Sequence, residues 1–281
     1  MMSDNELRSF ILNSLAEDTG GGDHSSLASI PASANGRARL LVKEKGVISG
    51  LRVAHEVFSI TDPTLTVEIL LHDGEKVKYG DIALTVEGRV RSILRAERLV
   101  LNIMQRMSGI ATSTSLYTDK ISDTGARITD TRKTTPGMRA LEKEAVRTGG
   151  GVNHRMGLYD MIMLKDNHID YAGGIAIAIR RTQEYLREHR LNLRIEVEAR
   201  NLKEVREILD TGGVDRIMLD NFNIPDTREA VTLIAGRCET ESSGGITLDN
   251  VRDYALCGVN YISIGALTHH IKSLDMSLKA C

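Results

Sequence analysis

The chain has 281 residues, 41% of them hydrophobic, and a formal net charge of −2. That length and apolar fraction support one large or two modest globular domains. A charge balance near zero excludes a polyanion such as DNA as the main partner, and the absence of Trp with only 4% aromatics leaves no base-stacking platform.

Leu7, Phe10, Ile11 and Leu15 recur at three-four spacing, which predicts an amphipathic helix over residues 7–15, ending at the turn-forming stretch 18–23. Asp4, Glu6 and Arg8 interrupt this apolar pattern, so no signal peptide is expected, and no apolar run approaches the length of a membrane span. Cys238, Cys257 and Cys281 lie far apart, without metal-ligand pairing or a disulfide framework, and point to a reduced, cytoplasmic setting. Residues 37–42, 65–71 and 82–86 alternate polar with apolar side chains, as short antiparallel strands with one dry face do. The segment 72–81 is similar to the hairpins of biotinyl and lipoyl carrier domains, but it lacks the Met-Lys-Met or Asp-Lys-Ala tip on which those domains present their modified lysine. A long helix is predicted over residues 92–107, with Ile93, Ala96, Leu99, Val100, Ile103, Met104 and Met107 on one face.

After Gly109 the pattern changes to repeated strand-then-helix units. Apolar strands are predicted at residues 126–129, 160–164, 193–197, 216–219, 239–242 and 261–264, and the last four end at near-regular intervals. Closure into an α/β barrel is the expected architecture. An open doubly wound sheet would use similar units, but no Gly-x-Gly-x-x-Gly follows any of these strands.

Barrel chemistry gathers at the C-terminal ends of strands. The residues there are Arg132 and Lys133, then Lys165, Glu198, Asp220, Ser243-Gly244-Gly245 and Gly265. Arg132, Lys133, His154, Arg155 and Lys165 concentrate positive charge in a nearly neutral chain, as a site for a small anion does. A solvated basic face would set them among other charges rather than beside glycines and apolar runs. Glu198 and Asp220 face this cationic set and suit Mg²⁺ or ribose hydroxyls, with acid–base roles also open. Gly244, Gly245 and Gly265 allow close backbone approach, and amides at helix starts near Thr247 and Thr268 suit phosphate oxygens, so a phosphorylated substrate is expected.

Taken in order, Glu17-Asp18-Thr19-Gly20, Ala96-Glu97-Arg98, Ser108-Gly109-Ile110-Ala111-Thr112, the run from Asp130 to His168, Glu196-Val197-Glu198, Leu219-Asp220-Asn221-Phe222, Glu241-Ser242-Ser243-Gly244-Gly245 and Gly265-Ala266-Leu267-Thr268-His269 closely resemble the quinolinate phosphoribosyltransferase family. The resemblance spans essentially the whole chain. It implies an N-terminal α/β sandwich over residues 1–109, rejoined by a C-terminal helix at 270–281, and an incomplete TIM-like α/β barrel over 110–269. It implies a homodimer with a shared active site and transfer of phosphoribose from phosphoribosyl pyrophosphate to quinolinate with decarboxylation, yielding nicotinate mononucleotide for NAD synthesis. Quinolinate would be held by Arg132, His154, Arg155 and Lys165, with Arg98 from the neighbouring subunit. Lys133, Glu198, Asp220, Ser243, Gly244, Gly245, Gly265, Thr268 and His269 would handle phosphoribosyl pyrophosphate, with Glu198 and Asp220 at its Mg²⁺, and Lys133, Glu198 and Asp220 carrying the chemistry. Glu144 departs from the family, whose members often carry an aromatic there, and is expected to alter helix packing only.

Two other enzyme readings fit part of these residues: a phosphoribosyltransferase for another pyridine acid, and a Schiff-base aldolase using Lys165. His24, His55, His72, His189 and His270 are expected to be surface or packing residues.

Overall fold

The computed structural model describes residues 2–281, and the chain forms two compact units that interleave along the sequence. The first unit takes the chain through Ser115, then Thr134–Gly150 and Leu267–Cys281; the second holds Leu116–Lys133 and Gly151–Ala266.

In the first unit, α1 (Asp4–Thr19) starts at a capping box, in which the Ser3 hydroxyl accepts the Glu6 amide and the Glu6 carboxylate accepts the Ser3 amide. It buries Leu7, Ile11 and Leu15 of the stripe its sequence predicts and leaves Phe10 half-buried. There follow α2 (His24–Ser29), β1 (Asn35–Val42), β2 (Gly46–Val47), α3 (Leu51–Thr61), β3 (Thr66–Ile69), β4 (Lys76–Val77), β5 (Ile82–Arg89) and α4 (Val90–Lys120). β5 pairs antiparallel with both β1 and β3. β4 pairs with β2 rather than closing a hairpin of its own, so the carrier-like segment presents no lysine on a tight tip. The helix predicted at 92–107 runs 31 residues, through Gly109. That glycine does not end the helix; it admits the crossing backbone of Lys272, whose carbonyl oxygen would collide with a Cβ placed there.

The second unit contains β6 (Arg127–Thr129). The chain then returns to the first unit for α5 (Arg139–Thr148), where Glu144 pairs with Arg52 at 3.3 Å. β7 (Ile162–Leu164), α6 (Asp166–Ala172), α7 (Ile175–Glu188), β8 (Ile195–Ala199), α8 (Leu202–Thr211), β9 (Arg216–Asp220), α9 (Ile224–Ile234), β10 (Glu239–Ser243), α10 (Val251–Ala255) and β11 (Tyr261–Ser263) complete the second unit. Its six-stranded parallel sheet has the order β6-β11-β10-β9-β8-β7, and a parallel bridge from Thr129 to Val152 continues it beyond β6. This is the incomplete barrel sheet expected.

After β11 the single turn α11 (Ala266–His269) leads to β12 (Met276–Ala280). The expected C-terminal helix at 270–281 is therefore corrected to a strand, paired antiparallel with β1. The reason is the partner: β1 offers an open edge for ladder bonds, and pairing along it buries Met276 and Leu278.

Candidate active site

Strand alternation gives β8 and β9 an apolar set on one face and a largely polar set on the other. On β8, Ile195, Val197 and Ala199 alternate with Glu196 and Glu198; on β9, Ile217 and Leu219 alternate with Arg216, Met218 and Asp220. The sequence predicts these strands as apolar, yet the interior they enclose is charged. Arg216 Nη1 lies 2.8 Å from Glu241 and 3.9 Å from Glu196, and its Nη2 lies 3.1 Å from Glu239. The guanidinium also sits 3.8 Å from the Tyr261 ring centroid.

His154 Nε2 reaches this cluster, 2.9 Å from Glu196 and 3.4 Å from Glu241. Burial pulls the imidazole pKa down, but hydrogen bonding and charge from Glu196 and Glu241 outweigh it and carry the pKa up to about 9. Burial and the neighbouring Glu241 charge raise Glu196, whereas His154 and Arg216 overcome burial to hold Glu241 low. His154, Glu196 and Glu241 together have a geometry that could ligate a metal. Arg216, hydrogen-bonded to Glu241, already supplies a cation to that position.

The predicted site residues line the C-terminal edge of this same sheet. Arg132 and Lys133 follow β6, and the Lys133 amide donates to Thr131 Oγ1 at 3.1 Å. Arg155 is half-buried and donates to the Met161 carbonyl at 3.1 Å; burial and then the Arg132 charge lower its pKa, so the two guanidinium groups feel each other. Lys165 follows β7 and donates to Glu198 on β8 at 2.8 Å. Its side chain is 47% exposed, and this setting is not the apolar pocket that an imine-forming lysine requires.

Asp220 closes β9, where it accepts the Asn221 side-chain amide at 2.8 Å. Asn221 is one of three non-glycine residues with positive φ among the described residues, at 56°, and its amide donates to the Ser243 carbonyl at 2.8 Å. Across from it, Gly244 has φ +93°, and a Cβ there would collide with Asn221 Oδ1. The Thr247 amide, expected at a helix start, instead donates to Asn250 Oδ1 at 2.8 Å, and the helix begins at Val251.

Arg98, Thr268 and His269 belong to the first unit. Arg98 is exposed on α4, Thr268 is buried with its carbonyl accepting from Arg106 at 3.1 Å, and His269 is exposed. Sequence reasoning did not assign Asp130, Asn153, Glu196, Arg216 or Glu241. Period-two spacing sets Glu196 with Glu198, and Arg216 with Asp220, on one face of their strands, which is the one sequence signal these charges carry.

Two family models cover nearly all of the chain: quinolinate phosphoribosyl transferase, N-terminal domain, over residues 23–108, and quinolinate phosphoribosyl transferase, C-terminal domain, over residues 110–279. The chain is 46% identical to quinolinate phosphoribosyltransferase [decarboxylating] 2b, mitochondrial, of Nicotiana tabacum, over 98% of this chain and 82% of that one. It is 41% identical to the probable nicotinate-nucleotide pyrophosphorylase [carboxylating] of Bacillus subtilis, over 97% and 93%. Its fold matches the crystal structure of NadC from Streptococcus pyogenes with a TM-score of 0.93 at 38% identity, covering 100% of this chain and 99% of that one.

Proposed function

The chain belongs to the quinolinate phosphoribosyltransferase family, and from that premise we propose how its residues carry out the family's reaction. It transfers phosphoribose from phosphoribosyl pyrophosphate to quinolinate with loss of CO₂, giving nicotinate mononucleotide and pyrophosphate, a step of NAD biosynthesis. The observation that carries the residue assignment is the placement of Arg132, Lys133, Arg155, Lys165, Glu198 and Asp220 along one edge of one parallel sheet.

Quinolinate is a dianion, and Arg132 and Arg155 bind its adjacent carboxylates through paired N–H groups. Lys165 adds charge, and His154, whose Nδ1 accepts the Arg155 amide at 2.8 Å, joins the set by family resemblance. Arg98 of the neighbouring subunit completes this set. Lys133 faces the pyrophosphate, with Ser243, Gly244, Gly245 and Gly265 on the phosphates and Thr268 and His269 joining them by family resemblance.

The transferred ribose gains positive character at C1 as pyrophosphate departs, and Glu198 and Asp220 orient its hydroxyls and offset that charge. Their oxygens, on neighbouring strands, would also suit Mg²⁺, which binds few protein carboxylates beside phosphate oxygens; Lys165 holds the Glu198 carboxylate in place. When bound, the ion would neutralise charge on the leaving pyrophosphate. The pyridine nitrogen then bonds to C1, the carboxylate beside that nitrogen leaves as CO₂, and the electron pair left on the ring carbon is stabilised by the adjacent pyridinium until it takes a proton.

A homodimer is supported by Leu158, Tyr159 and Tyr171, exposed by 72%, 74% and 91% on the two segments flanking β7. We place the enzyme in the cytoplasm on its unpaired cysteines; the tobacco relative is named mitochondrial. No helix among the described residues is long and apolar enough to cross a membrane. Incubation with quinolinate, phosphoribosyl pyrophosphate and Mg²⁺ is expected to yield nicotinate mononucleotide and CO₂ in equal amounts. Failure to form either would overturn the assignment.

A further inference from the structure

Asp130 is fully buried where β6 ends, two residues before Arg132. Its Oδ1 accepts the His154 amide at 2.9 Å, and its Oδ2 accepts the Asn153 side-chain amide at 2.5 Å. Behind it the backbones are laced in register: Val152 donates to the Ile128 carbonyl at 2.9 Å and Asp130 donates to the Val152 carbonyl at 3.3 Å. One buried carboxylate therefore ties together the two strips that end in Arg132 and Arg155.

Those strips have a reason to separate. Arg132 and Arg155 carry like charges close enough that Arg132 disfavours the charged form of its neighbour. Without an anion between them, repulsion pushes the strips apart, and a charge-assisted latch at their roots opposes it.

We propose that Asp130 is a positioning residue that sets the spacing of Arg132 and Arg155, and so selects a ligand with two adjacent carboxylates. The inference rests on the reading of those arginines as quinolinate contacts. It predicts that damage to the latch falls mainly on quinolinate rather than on phosphoribosyl pyrophosphate, whose proposed contacts other than Lys133 lie at other strand ends.

The latch can be inverted without changing its composition. Asn153→Asp sets two carboxylates face to face. Exchanging both residues, Asp130→Asn with Asn153→Asp, restores the pattern: the amide introduced at position 130 accepts the His154 N–H through its oxygen, and its nitrogen donates to the carboxylate introduced at position 153. We expect Asn153→Asp to raise the quinolinate KM by about tenfold or more, with the phosphoribosyl pyrophosphate KM within about twofold of wild type; the exchange should bring the quinolinate KM back to within about threefold. Asp130→Asn, which keeps the His154 bond, should fall between and serves if Asn153→Asp does not fold.

Wild-type turnover of quinolinate is measured alongside. Its absence would overturn the functional reading itself. With wild type active, equal rises in both KM values, no rise in folded single variants, or an exchange no better than Asn153→Asp would each overturn the positioning role.

Discussion

Two arginines that repel each other are a poor resting arrangement unless a dianion joins them, and Arg132 and Arg155 are so placed. Nicotinate, with a single carboxylate, would leave one guanidinium without its partner, so kcat/KM for quinolinate should exceed that for nicotinate by about 10²-fold or more in parallel assays. Comparable turnover of the two would remove the arginine pair from the specificity argument. His154 gives a second prediction, in stability. Its pKa is about 9 in the fold, against burial and because of Glu196 and Glu241, and 6.5 as an ordinary imidazole. Protonation therefore favours the folded state: the contribution is whole below pH 6.5 and is lost as pH rises through 9. Urea unfolding of wild type and His154→Gln should show a stability gap that narrows over this window. A gap that is flat or widens with pH would mean that the ring stays neutral between its carboxylates.

At the scale of elements, the turns after β9 and β10 are locked into one another. Gly244→Ala would need a Cβ at φ +93°, in collision with Asn221 Oδ1, so the Asn221 turn has to move, and with it the Asp220 carboxylate that Asn221 holds. Steady-state kinetics should show the loss in kcat and in the phosphoribosyl pyrophosphate KM, with quinolinate binding by calorimetry close to wild type. Strands β8, β9 and β11 were legible because they pack apolar residues such as Val197, Ile217 and Ile262 between turn signals; β10, with Thr240 and Ser242 in those places, was legible from its spacing from the strands around it. Their inner faces were not, because Glu196, Arg216 and Glu241 are stable only through partners on other strands, and sequence order does not show which charges meet. The same limit applies to β12. Residues 270–281 have no strong period of their own, and it is pairing with β1, more than two hundred residues earlier in the chain, that makes them a strand. Asp130 and Asn153 were within the run that revealed the family, yet their bond depends on the bridge from Thr129 to Val152 and could not be read from spacing.

For the whole molecule, the proposed sharing of Arg98 between subunits makes an arithmetic prediction. Arg98→Ala and Lys133→Ala dimers should each be nearly inactive. Random 1:1 re-association of the two makes half the dimers mixed, and a two-fold interface gives each mixed dimer one whole site, so about a quarter of wild-type sites should return. If mass spectrometry confirms exchange and activity stays absent, Arg98 acts within its own chain. The path of the chain has a consequence of another kind, for how the protein is made. It passes between the compact units at 115/116, 133/134, 150/151 and 266/267, and the sheet of β1, β3 and β5 lacks its β12 edge until residues 276–280 exist. A ribosome that has translated 266 residues has therefore finished the second unit but not the first. The segment synthesised earliest must wait through nearly the whole of elongation with one strand edge open, exposed to other nascent chains. Released chains truncated after residue 266 should accordingly show protease protection over 151–266 well ahead of residues 35–89.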